Sequence, residues 1–178
     1  MRRSRGSAAF EPMDRQTALE AILRSYEHYY NSNRDTPAPP FEAEATFRLH
    51  DERYFLVKKA VLSEADANEY VYFASVETLT PALFAELDAA AWDTGLARVE
   101  PNEHHRCSDV SLVILADRIE DGCRELIRKT RRTKSYAFGF RGYSHYRLIA
   151  CDLSTGALLR NRMGEPMEKT IRNIIRMS

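Results

Sequence analysis

From Asp14 onward the chain alternates between apolar spacing of three to four residues and apolar spacing of two, and each switch marks a new element. Leu19, Ile22, Leu23, Tyr26, Tyr29 and Tyr30 follow Asp14 at helical spacing, so an amphipathic helix capped by Asp14 is predicted through Tyr30. The stretch NSNRDTPAPP, residues 31–40, places three prolines in four positions and cannot continue it. Period-two patterning then takes over. ATFRLH, YFLVKKAVL and EYVYFASVE, separated by a turn at 50–53 and the polar loop SEADAN, read as three antiparallel strands.

Thr80 with Pro81 behind it opens a second helix that turns Leu83, Phe84, Leu87, Ala91 and Trp92 inward and is expected to stop at Gly95. SDVSLVILAD carries apolar residues on both sides and predicts a strand covered on both faces. Ile119 to Thr133 has a helical stripe of Ile119, Cys123, Leu126, Ile127 and Thr130, with acidic residues at its start and basic residues at its end. SYAFGF, HYRLIACDL and ALLRNR read as three more strands, the last two joined by a turn at Ser154-Thr155-Gly156, and Glu165 to Met177 as a final helix.

The expected order is αβββαβαβββα: a single α+β domain over residues 14–178 with a mostly antiparallel sheet. Residues 1–13, MRRSRGSAAFEPM, show no periodicity and read as a loose basic leader, with Met13 an alternative start. A three-strand meander followed by a helix occurs twice in this order, and Tyr54-Phe55-Leu56-Val57 aligns with Tyr146-Arg147-Leu148-Ile149. The identity is slight and the loop lengths differ, so a weak internal duplication stays open.

Composition narrows the class. A hydrophobic share of 44% and a charged share of 29% fit a folded soluble chain and exclude a disordered one. The apolar run Leu112–Ala116 falls far short of the roughly 18 residues of a membrane span, and no apolar core follows Arg2, Arg3 and Arg5, so no membrane association and a cytoplasmic setting are expected. Cys107, Cys123 and Cys151 form no CxxC pair and are odd in number, so reduced thiols are expected. The net charge of zero averages opposites: residues 77–125 hold eleven acidic residues against four basic ones, and residues 126–178 hold twelve basic against three acidic.

The segments FRLHDERYFLVKKAVL, NEYVYFASVETLT, EHHRCSDVSLVILAD and RGYSHYRLIACDLSTG together resemble a family of small bacterial proteins for which no function is established. The resemblance covers the chain from about Asp14 onward. It implies a bacterial cytoplasmic protein and points to no activity.

Candidate chemistry concentrates in two stretches. In KTRRTKSYAFGFRGYSHYR, residues 129–147, Lys129, Arg131, Arg132 and Lys134, with Arg128 before them, suit the negative end of a helix dipole. In a strand from Ser135, Tyr136, Phe138 and Phe140 share one face and are expected in the core. Lys134, Arg141, His145 and Arg147 are expected to converge near a sheet edge and to suit phosphate. No acidic residue lies between Leu126 and Cys151, and cations interleaved with aromatics match what unpaired nucleotides require. The segment lacks the ribonucleoprotein motif, the GxxG loop and zinc-finger spacing.

The second stretch, Glu103–Asp109, holds His104, His105 and Cys107. Alternation along an extended lead-in puts Glu103, His105, Cys107 and Asp109 on one side, and imidazole with thiolate suits zinc, with His105, Cys107 and Asp109 the candidate ligands. Cys107 beside His104 and His105 also raises a thiolate–imidazolium pair. In the first helix, Tyr26, Tyr29, Tyr30 and His28 are candidates for a pocket rim. No GxSxG, Walker, Rossmann or HExxH motif occurs. The favoured reading is a non-catalytic cytoplasmic binding protein that offers a basic surface within residues 128–147 to a nucleic acid or other anionic partner, with no cofactor. The alternatives are a metal-dependent hydrolase built on the 103–109 cluster and a protein-interaction domain, including a homo-oligomer in which the basic third docks on the acidic segment of another copy.

Overall fold

A computed structural model describes residues 13–27, 30–48 and 66–177. Helix α1 spans Arg15–Glu27, and Asp14 caps it as expected: its carboxylate accepts from Thr17 N at 3.0 Å and from the Thr17 hydroxyl at 2.5 Å. The connector contributes a short strand, β1, at Asn31–Asn33, followed by β2 at Ala43–Arg48 and the long β3 at Asp66–Leu79. The strand expected at YFLVKKAVL lies outside the described residues, as does the peptide needed to test the duplication.

Thr80 caps α2, Pro81–Ala97, accepting from Leu83 N at 3.2 Å, with Pro81 at the first helical position. The helix runs past Gly95, which is not its stop. A Cβ at Gly95 would lie 2.5 Å from Cγ1 of Val110, so the glycine is required where the helix presses on the sheet. Strand β4 spans His105–Ile119, and every residue from Val110 to Ala116 is buried. Helix α3, Asp121–Lys129, buries Cys123 and Ile127 and ends four residues before the expected Thr133. The chain leaves the helix at Thr130 because Arg132 O is taken by Tyr146 N at 3.2 Å, which draws it toward the sheet. Strand β5 (Thr133–Ser135), a 3₁₀ turn (Ala137–Gly139), β6 (Tyr143–Asp152), β7 (Ala157–Arg160), a second 3₁₀ turn (Arg162–Gly164) and α4 (Glu165–Met177) complete the chain.

The fold is α+β: one mixed sheet in the order β1-β2-β3-β4-β6-β5, with β7 also on β6. Among the described residues the element order is roughly the expected one, with β1 in the expected connector and β5 just before the expected strand SYAFGF, but the pairing is not simply antiparallel. The outer pairings are antiparallel, whereas β4 lies parallel to both β3 and β6, the three longest strands. Parallel neighbours need a crossover, and α2 and α3 supply the two crossovers.

Both crossover helices cover one face, where Phe84, Leu87, Trp92 and Ile127 meet Tyr72, Leu112, Ile114, Tyr146 and Leu148. The other face carries α1 and α4, with Ile22, Leu23, Met167 and Ile171 against Phe73, Val113, Leu115 and Ile149. Helices on both faces explain why β4 is apolar throughout its middle.

Strands β5 and β7 share the outer edge of β6, pairing with its two ends, and Asn161 fills the gap between them. Its Oδ1 accepts from Leu148 N at 3.1 Å and Gly164 N at 2.8 Å. Its Nδ2 donates to Tyr146 O at 3.0 Å and Thr130 O at 3.3 Å. One buried amide thus replaces the missing ladder partners. Asn161→Ala is expected to destabilise the fold by about 2–3 kcal/mol, since buried peptide groups lose their partners. Gly95→Ala is expected to cost about 1–3 kcal/mol through overpacking against Val110. Urea unfolding of each variant checks both, and a loss below about 0.5 kcal/mol, the usual size for a surface change, would contradict either assignment.

Candidate functional site

The segment between β5 and β6 is not a strand. Ala137 and Phe138 adopt positive φ of 46° and 54°, followed by Gly139 at 92° and Gly142 at 79°. This backbone curls the chain into a tight loop in which Tyr136 N donates to Gly142 O at 3.0 Å and Arg141 N to Tyr136 O at 3.2 Å. Phe138 and Phe140, expected in the core, are instead 100% and 85% exposed. The reason is the αL geometry, which takes the residues off the period-two path that would have aimed both rings inward. Tyr136 is half-buried, and Tyr146 alone of the later aromatics is core.

The loop is braced from beneath. A Cβ at Gly142 would stand 2.4 Å from Arg106 O and 2.8 Å from His105 Nδ1, and one at Gly139 would stand 2.2 Å from the Tyr143 hydroxyl. His105 is 2% exposed and lies edge-on to Tyr136. Its Nδ1 lies 2.6 Å from Arg141 O, a carbonyl that can only accept, so Nδ1 donates. In the neutral ring Nε2 then accepts from Ser108 Oγ at 2.9 Å. Both ring nitrogens of His105 are therefore engaged in holding the loop.

The four cationic candidates do not form one cluster. Lys134 pairs in register with Ser144 and stands over the Tyr136 ring at 5.6 Å, on the face covered by α2 and α3. His145 and Arg147 point to the opposite face, and Arg141 is exposed on the loop. His145 is half-buried, with its ring nearly parallel to that of Tyr143 at 6.4 Å and 12°.

Arg147 is committed to an internal network at the N-terminal ends of the three parallel strands. It pairs with Asp109 and lies 3.4 Å from Glu69, while Glu69 also accepts from Tyr30 Oη at 2.6 Å and Ser111 Oγ at 2.7 Å. Burial pushes the Asp109 carboxyl above its ordinary value, Arg147 pulls it down, and Glu69 raises it. Burial and the neighbouring Asp109 push the Cys107 thiol up to about 12, so it stays protonated at neutral pH and is no thiolate nucleophile. Burial, reinforced by Glu69, also raises Tyr26 and Tyr30.

Of the 103–109 cluster, Glu103 and His104 are exposed, Cys107 shares a face with Asp109 at 3.5 Å, and His105 turns to the other face with Ser108. The irregular register beside Asp66 and Ala67 breaks the alternation that would have kept His105 with the other two. Among the described residues no group of three or more His, Cys, Asp or Glu side chains is arranged to hold a metal ion. Tyr26 packs on Tyr30 and Phe73, while His28 and Tyr29 lie outside the described residues. All three cysteines are free. No helix among the described residues is long and apolar enough to cross a membrane.

A cavity of about 620 Å³ lies elsewhere, between the start of α1 and the connector, with Asp14, Glu20, Glu42 and Asp117 in its lining. Arg15 there is paired with Asp117 at 3.0 Å, and Asp14 serves as the α1 cap. None of the candidate binding, metal or catalytic residues named from the sequence lines it.

The sequence reading missed the Tyr30–Glu69–Arg147–Asp109 network, although a signal was present: each of the three long strands carries one charged residue just before its apolar run. A raised Asp109 holds its proton more tightly folded than unfolded, so this group's contribution to stability falls as pH rises from its ordinary value of 3.8 through the folded value. Wild type is therefore expected to lose stability relative to Asp109→Asn between about pH 4 and the folded value. Urea unfolding of both proteins across that window checks the sign; a difference that is flat or reversed would contradict the buried assignment.

Neither the curated proteins nor the solved structures contain a match to this chain. A family model described as a domain of unknown function, DUF8052, matches residues 14–173, which takes in every helix and strand of the fold except the last turn of α4. The chain belongs to the DUF8052 family.

Proposed function

We propose that this is a non-catalytic binding protein that engages an anionic partner through the 131–145 surface. One observation carries the reading: a braced loop displays two phenylalanine rings to solvent in a segment with three exposed cations that make no ion pair among the described residues. Seven lysines and arginines lie between Leu126 and Cys151, and four of them make ion pairs within the chain. Arg128 and Lys129 pair with Glu125, Arg132 with Asp88, and Arg147 with Glu69 and Asp109. Arg131, Lys134 and Arg141 are exposed and make no ion pair among the described residues. They are the charges available to a partner, and in sequence they lie on both sides of the rings.

A thiol held protonated, and a His105 occupied by Arg141 O and Ser108, weigh against nucleophilic and metal-dependent hydrolysis at the 103–109 cluster. Three free cysteines suit a reducing bacterial cytoplasm. Arg147 leaves the binding set, because removing it would take the counter-charge from the buried Glu69 and the half-buried Asp109.

Retention on immobilised heparin, a polyanion without bases, tests the charge component alone. Wild type is expected to elute at moderate salt and Lys134→Ala/Arg141→Ala at clearly lower salt, since each lost phosphate-like contact reduces the salt slope by about one. Flow-through of wild type at low salt would overturn the reading.

A further inference from the structure

We propose that the anionic partner is single-stranded nucleic acid, with unpaired bases stacked on Phe138 and Phe140; this rests on the anionic-partner reading above. The rings decide the class. Phe138 and Phe140 bury almost nothing and have no polar atom, so they can offer a ligand only an aromatic face. A duplex hides its base faces by stacking them on one another, so a ring reaches them only at the cost of unstacking a step. Unpaired bases expose the complementary face, and every base has one.

The aromatic surface continues beyond the loop. The Tyr143 hydroxyl sits against Gly139, its ring is 43% exposed, and the nearly parallel His145 ring follows it on the same face of β6. Phe138 and Phe140 on the loop are thus followed along the chain by the Tyr143 and His145 rings at the start of β6. Arg141 within the loop supplies a cation for the phosphates between stacked bases, and Lys134 on β5 offers a second from the opposite face of the sheet.

The preformed backbone supports the same conclusion. Two successive non-glycine residues in the left-handed region are held there by Gly139, Gly142 and the His105 hydrogen bond to Arg141 O. The rings are therefore presented without an ordering step, which favours a ligand that is itself flexible. An anionic membrane is the weaker match: beside the two rings the loop offers only Ala137, with no aliphatic side chain to enter an acyl layer.

Fluorescence anisotropy with labelled oligonucleotides tests the inference: a 12-mer of deoxythymidine, the same length of uridine, and a blunt duplex. Wild type is expected to bind at least one single strand about tenfold or more tighter than the duplex. Phe138→Ala/Phe140→Ala is expected to weaken that binding by about 10- to 100-fold, the loss typical of removing a base-stacking ring, with heparin elution unchanged. Because both rings lie in solvent, this variant should keep the wild-type urea midpoint. The DNA and RNA arms identify the sugar. Equal affinity of wild type and the ring variant for single strands, or equal affinity for duplex, overturns the inference. So does cosedimentation with phosphatidylserine vesicles without oligonucleotide binding, or a ring-dependent dimer on sizing in place of it. Heparin retention without oligonucleotide binding sinks this inference and leaves the polyanion reading standing, whereas loss of both sinks both.

Discussion

The parallel pairing of β4 with β3 on one side and β6 on the other fixes where everything else must go. Two parallel ladders demand two crossovers, and because α2 and α3 both return over one face, the other face is left for α1 and α4. A central strand covered twice has to be apolar on both sides, as β4 is through its middle. The same alignment brings the N-terminal ends of three strands together at one edge. There the apolar runs give way to Glu69, Asp109, Arg147 and Tyr30, and the loop between β5 and β6 emerges beside them.

Much of this was legible because it is written in local chemistry. Asp14 and the Thr80-Pro81 pair announce helix starts, the apolar run of β4 announces burial on both faces, and the alternation of β6 announces a strand. Strand direction was not legible, since period two is the same in parallel and antiparallel ladders. Gly95 misled for a related reason: a glycine late in a helical pattern looks like a stop, but the atom that requires its bare Cα is Val110 on another element. Asn161 carries no periodic signature either, although it completes the edge of β6.

The candidate site was legible in composition and misread in geometry. Aromatics at every second place from Tyr136 to Phe140 fit a strand, and nothing in that alternation reveals that Ala137 and Phe138 take positive φ, a state that non-glycine residues seldom adopt. Arg147 looked like a free cation because its two carboxylate partners come from strands about forty and eighty residues upstream. The same holds for Arg132, claimed by Asp88 on α2. Part of the positive excess after residue 126 is thus paired with the acidic segment before it, through Asp88, Asp109 and Glu125, and a count along the sequence overstates what a partner meets.

What remains after that internal pairing is small and specific. Back-to-back left-handed residues carry strain of order 1–2 kcal/mol each, and strain of this kind persists only where the surroundings hold it. Here the hold comes from a buried histidine with both nitrogens engaged, two glycines in close contact, and a tyrosine hydroxyl. A loop that merely joined β5 to β6 would relax by turning its phenylalanines inward or would carry polar residues in their place. This loop keeps its backbone strained and its rings in water, and a partner of the kind proposed would remove those rings from water on binding.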